Sequence, residues 1–134
     1  APVSWDDSEG WCHVNYFMKN PSTIGTFIVG DKYAPDRSRI GETTGQAAGI
    51  GRSVLFVSNG TKEDFGITAD VKVCTVPEAP KGYEFLLPLL DYLPGSILAG
   101  YISTLRGEPF FRGGAGAWFA EGVMTIKSSE IVVV

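Results

Sequence analysis

The chain has 134 residues, 44% of them hydrophobic and 19% charged. That supplies enough apolar surface to exclude a disordered chain, and the length fits a single domain over residues 1–134. Eleven Lys and Arg against fifteen Asp and Glu leave a net charge of −4, which excludes nucleic acid as a partner because phosphate binding needs concentrated cations.

The chain opens Ala1-Pro2-Val3-Ser4. Such a start suits a mature secreted protein whose leader was cleaved after a small residue, so a secreted location is expected. Trp5 follows, flanked by the densest acidic cluster, Asp6, Asp7 and Glu9. These carboxylates lack the spaced ligand series of a calcium loop, and no zinc spacing exists, so no metal or other cofactor is expected. Cys12 and Cys74 are the only cysteines. In an exported chain they are expected to pair, and a loop of that length is worth about 4 kcal/mol in the chain-entropy model. His13 is the single histidine. Adjacent strand residues point to opposite faces, so Cys12 and His13 cannot exchange a proton directly; a carboxylate pair among Asp6, Asp7 and Glu9 keeps a small hydrolase as a third possibility, and a non-enzymatic protein is favoured over it.

Residues 13–18 and 23–29 read as two strands, separated by Asn20-Pro21-Ser22. Residues 30–51 hold five glycines, Pro35 and mixed charge without a sustained hydrophobic period. They read as a long exposed loop and are the first place to look for ligand contacts. Within it, Lys32, Tyr33, Asp36, Arg37 and Arg39 are the expected binding residues, with Trp5 and Trp11 as an aromatic platform for a sugar ring or a protein surface. The run Gly45 to Ser53 superficially suggests a phosphate loop, but five residues separate Gly45 from Gly51 where four are needed, and Arg52 stands in place of Lys.

Residues 53–58 read as a strand, and Asn59-Gly60 as a hairpin turn leading to a further strand. Asn59-Gly60-Thr61 also matches the N-glycosylation pattern. From Ile67 to Val73 apolar and polar residues alternate with a period of two, the pattern of a strand buried on one face, with Cys74 on the solvent side. Pro77 and Pro80 interrupt the pattern, and residues 83–93 are ambiguous. Ile97, Leu98, Tyr101, Ile102 and Leu105 recur at helical spacing. They predict one short helix over 96–106, with Ser96 at its start and Gly107 at its end. The nearest approach to a spanning segment, residues 85–102, contains Asp91, Pro88 and Pro94, so membrane contact is not expected.

Residues 117–126 and 130–134 read as two closing strands. Phe110-Phe111-Arg112-Gly113-Gly114 resembles a short motif of picorna-like viral coat jelly rolls. Only twenty residues follow Gly114, too few for the later strands of such a coat fold.

These elements predict a mainly β domain, an antiparallel sandwich or partly closed barrel of six or more short strands with one short helix. The expected function is a secreted, non-enzymatic recognition module binding a carbohydrate or a protein. The alternatives are a self-assembling structural or coat subunit, suggested by the apolar terminus, and a small membrane-active toxin, suggested by the apolar, glycine-rich stretches 97–105 and 113–122.

Overall fold

The computed structural model of the chain describes residues 5–107. The chain divides into two compact units, 1–95 and 96–134. The first is an α/β unit. It contains α1 (Ser8–His13), β1 (Gly25–Gly30), α2 (Arg37–Gly49), β2 (Ser53–Ser58), β3 (Lys72–Thr75) and the opening turns of α3 (Leu87–Leu105). The strands form one sheet in the order β1-β2-β3, and both pairings are parallel.

This architecture overturns the expected antiparallel sandwich or barrel, and with it the likeness to a coat jelly roll. The decisive segment follows β2. Asn59-Gly60 is no hairpin: the chain passes through a 3-10 turn, Glu63–Phe65, and enters β3 in the same direction as β2. The near-continuous apolar run of β2 fits this, because a parallel strand is covered on both faces. Val54 and Phe56 point to one face, where Ile40 and Ala47 of α2, Phe65, Ile67, Val71 and Trp11 complete a core. Leu55 and Val57 point to the other, against Val76, Leu87, Leu90 and Cys74. The Phe56 and Phe65 rings meet edge to face, with centroids 4.9 Å apart.

Residues 30–51 are not a loop, because α2 occupies thirteen of them. The buried face of α2 is Ile40, Gly41, Thr43, Thr44 and Ala47. Small and hydroxyl-bearing residues carry little hydrophobic signal, which is why periodicity misses the helix. The threonines are buried without penalty, since Thr43 and Thr44 donate to the carbonyls of Arg39 and Ile40, four residues back (3.0 and 2.8 Å). Gly41 permits the close approach: a Cβ there would land on the carbonyl oxygen of Phe65.

Other expectations change as well. Residues 13–18 form no strand; Asp7 caps α1 by accepting from the Gly10 amide (2.8 Å), and a 3-10 turn, Asn15–Phe17, follows. The period-two stretch 67–73 is a strand only from Lys72, although Ile67 and Val71 do enter the core. The helix predicted at 96–106 begins nine residues earlier. Pro88 lies in its first turn, where a missing N–H costs nothing, and Pro94 is accommodated inside it. Ser96 therefore caps nothing, whereas Gly107, at φ 65°, ends the helix as expected. By length and composition residues 84–105 are able to cross a bilayer, with mean hydropathy 1.4, which the sequence reading did not anticipate. The first turns of this helix, however, pack Leu87 and Leu90 against the sheet. The toxin expectation has no support here, because no cation lies on the helical stretch 97–105. The closing strands 117–126 and 130–134, and the motif 110–114, lie outside the described residues.

Candidate functional site

The polar groups that follow β1 and β2 meet at the carboxyl edge of the sheet. Asn59, 7% exposed, joins the two strand ends. Its Oδ1 accepts from the Lys32 amide (2.9 Å) and its Nδ2 donates to Asp31 Oδ1 (2.9 Å), which also accepts from the Tyr33 amide (3.0 Å). Beside it, the Ser58 hydroxyl accepts from the Gly60 amide, and the Ser58 carbonyl accepts from Val76, extending the edge past β3 (both 2.9 Å).

This latch positions a set of groups at the edge, of which Tyr33 and Glu78 are exposed and Lys32 is partly buried. The Lys32 ammonium pairs with Glu78 beyond β3, and the Tyr33 hydroxyl donates to the other oxygen of the same carboxylate (3.4 Å). The ammonium lies 5.0 Å from the centre of the Tyr33 ring. The hydrogen bond with Glu78 raises the Lys32 pKa, and the same bond lowers that of Glu78. Asp64 is lowered by hydrogen bonds from the Thr61 amide and hydroxyl (2.7 and 3.1 Å), with smaller help from the charges of Lys32 and Arg37. Asp91, on α3, is raised by burial and then by the negative charge of Asp31, and its Oδ1 accepts no hydrogen bond among the described residues.

Of the expected binding residues, the structure brings Lys32 and Tyr33 together. Asp36 and Arg37 are exposed where α2 begins, and the Asp36 side chain makes no capping bond. Arg39 turns away: it bonds Glu9 of α1 (2.6 Å) and Glu42 (2.8 Å), and these bonds raise its pKa while lowering that of Glu9. It clamps α1 to α2 and does not face the Lys32 cluster.

The aromatic platform is also divided. Trp5 is exposed, whereas Trp11 is buried, with the Arg52 guanidinium 5.1 Å from its ring. Arg52 is itself buried, which lowers its pKa, and it donates to the Asn15 carbonyl and Thr26 hydroxyl. Trp11 thus anchors the N-terminal segment and is unavailable to a ligand.

Asp31, Asn59 and Glu78 complete this edge, and the sequence reading did not name them as ligand contacts. A signal for the first two existed, since each directly follows an apolar run with a glycine beside it, Gly30-Asp31 and Asn59-Gly60. It becomes readable only once the two runs are known to be parallel.

Two expectations tied to export conflict with the structure. Cys12 and Cys74 are free thiols. The Cys12 thiol faces Gln46 and Thr43 of α2 (3.3 and 3.9 Å), while Cys74 packs with Val57 and Leu87. Side chains on opposite faces of a sheet cannot meet. Asn59 is buried with both ends of its amide engaged, so it is no glycosylation acceptor. No group of three or more metal-ligating side chains occurs among the described residues.

The order β1-β2-β3 and the two parallel pairings make the first unit a small parallel α/β unit with its polar groups gathered at the carboxyl edge. No protein-family model, curated protein or solved structure matches the chain.

Proposed function

We propose that the chain is a non-enzymatic recognition module that takes a hydroxyl-rich ligand of the carbohydrate class at the carboxyl edge of its sheet. The observation that carries this reading is the Asn59 latch, which fixes the ends of β1 and β2 so that Lys32, Tyr33 and Glu78 form one pre-ordered set. Pre-ordering lowers the entropy lost on binding. An ammonium, a phenol and carboxylates side by side offer alternating donors and acceptors, which suit several neighbouring hydroxyls better than one point charge. The exposed Tyr33 ring adds a flat surface for a sugar face.

The test is ligand-observed NMR with glucose, glucosamine and glucuronate as neutral, cationic and anionic probes. Saturation transfer to at least one probe is expected, with loss in Lys32→Ala and Tyr33→Phe chains whose circular dichroism is unchanged. Absence of transfer from the wild-type chain at millimolar probe, or transfer that survives both substitutions, refutes the reading.

A further inference from the structure

Arg52 is a buried cation with no counter-charge among the described residues. It is 7% exposed, as is Trp11, whose ring centre lies 5.1 Å from the guanidinium. Its two hydrogen bonds go to neutral oxygens, the Asn15 carbonyl and the Thr26 hydroxyl. None of the ion pairs among the described residues includes it. Burial lowers its pKa, and no carboxylate works against that shift. Residues 1–4 add no acidic side chain to this end of the chain. A guanidinium keeps its charge inside a protein, and a buried charge is normally paired or bound to an ion.

The same contact holds two orphan donors. Arg52 Nε and Trp11 Nε1 are both buried, and neither makes a hydrogen bond among the described residues. The indole is closed to a sugar or a protein surface, but its N–H is uncommitted. Folded proteins rarely leave such donors unmatched, because each one forfeits its hydrogen bonds to water. Thr26 adds a third, since its oxygen accepts from Arg52 and its own proton remains to be donated. We propose that Arg52, Trp11 and Thr26 form a site for one small monovalent anion of the halide class. Burial selects the size: donors without exposed surface admit a monatomic ion, whereas a carboxylate or phosphate on a larger molecule would have to displace α1. Charge selects an anion over water, which accepts from an N–H but leaves the guanidinium uncompensated. The three residues come from α1, from β1 and from the lead into β2. The anion therefore ties the N-terminal segment to the amino end of the sheet, the end opposite the Asn59 latch.

Thermal unfolding of the full chain tests this, with sodium chloride replacing sodium gluconate up to about 300 mM so that ionic strength and screening stay constant. The midpoint is expected to rise saturably, by about 4–7 °C once chloride stands tenfold above its dissociation constant. Trp11→Phe keeps an aromatic ring and deletes the N–H, and it is expected to weaken the chloride effect at least threefold. Arg52→Met is expected to abolish it, while Lys19→Met, at an exposed cation, leaves it unchanged. Chloride NMR reads binding directly: the folded wild-type chain is expected to broaden the chloride resonance, and bromide to reverse the broadening. Should Arg52→Met fail to fold, Trp11→Phe and the wild-type line width carry the decision. A wild-type midpoint equal in chloride and gluconate overturns the inference and leaves water as the acceptor. Absence of broadening overturns it as well, as does a chloride response that survives Trp11→Phe undiminished.

Discussion

Replacing Asn59 by Ala removes two hydrogen bonds at once and tests whether the carboxyl edge is built as described. The Lys32 amide loses its acceptor, and Asp31 loses one of the two donors that its Oδ1 accepts from. A donor stranded in a partly buried place costs about 1–3 kcal/mol, and a bond to a charged group contributes about 1.5–3 kcal/mol. Allowing for partial rehydration, the expected loss is about 2–4 kcal/mol, a large share of the roughly 5–15 kcal/mol that stabilises an ordinary domain. Urea unfolding followed by circular dichroism reads it directly. With a slope of about 2 kcal/mol/M, the middle of the usual range, the midpoint is expected to fall by about 1–2 M at unchanged slope. Asn59→Asp separates the two bonds: it keeps an acceptor for Lys32 but sets a second carboxylate against Asp31. Its deficit is therefore expected to shrink below about pH 4, where carboxylates take up protons. An Asn59→Ala chain within about 0.5 kcal/mol of wild type would refute the latch.

Three further outcomes are expected. Gly41→Ala drives a Cβ into the Phe65 carbonyl and forces α2 off the sheet; thermal unfolding is expected to show a loss of several kcal/mol, whereas Gly45→Ala, which meets nothing within 4 Å, is expected to be neutral or mildly stabilising through helix propensity (about 1 kcal/mol). The folded-state pKa of Asp91 is raised by burial, so the folded chain holds that proton more tightly than the unfolded one. Stability from this group is present below the ordinary carboxylate range and is lost as pH rises through the folded pKa, so Asp91→Asn is expected to stabilise the chain at pH 7 and to match it below about pH 4 in urea titrations. Both cysteines are free; intact mass is expected to show no gain on reduction, and denatured, unreduced protein is expected to take up two alkyl groups.

Sequence alone was informative where the chemistry is local. The apolar run 53–58 marked β2, and the run 23–29 fell largely on β1, because a buried strand must be apolar whatever it pairs with. Gly107 stood out as a helix end, because a positive φ is a property of one residue; Lys32 and Tyr33 were picked as part of an exposed loop over 30–51 that is in fact largely α2. What the tertiary structure decided depends on partners distant in the chain. Strand direction is one such choice: Asn59-Gly60 permits a hairpin, and it takes Phe65 and Val71, seated on the α2 face of the sheet, to carry the chain back for a parallel β3. Another is α2, whose Thr, Gly and Ala face reads as polar loop until the sheet buries it and its own carbonyls satisfy its hydroxyls. The roles of Trp5 and Trp11, alike in sequence, were divided by Arg52, forty-one residues beyond Trp11, which holds one ring and not the other. Cys12 and Cys74 remain thiols for the same kind of reason, because the sheet stands between them, and no spacing of residues along a chain records which face of a sheet each one reaches.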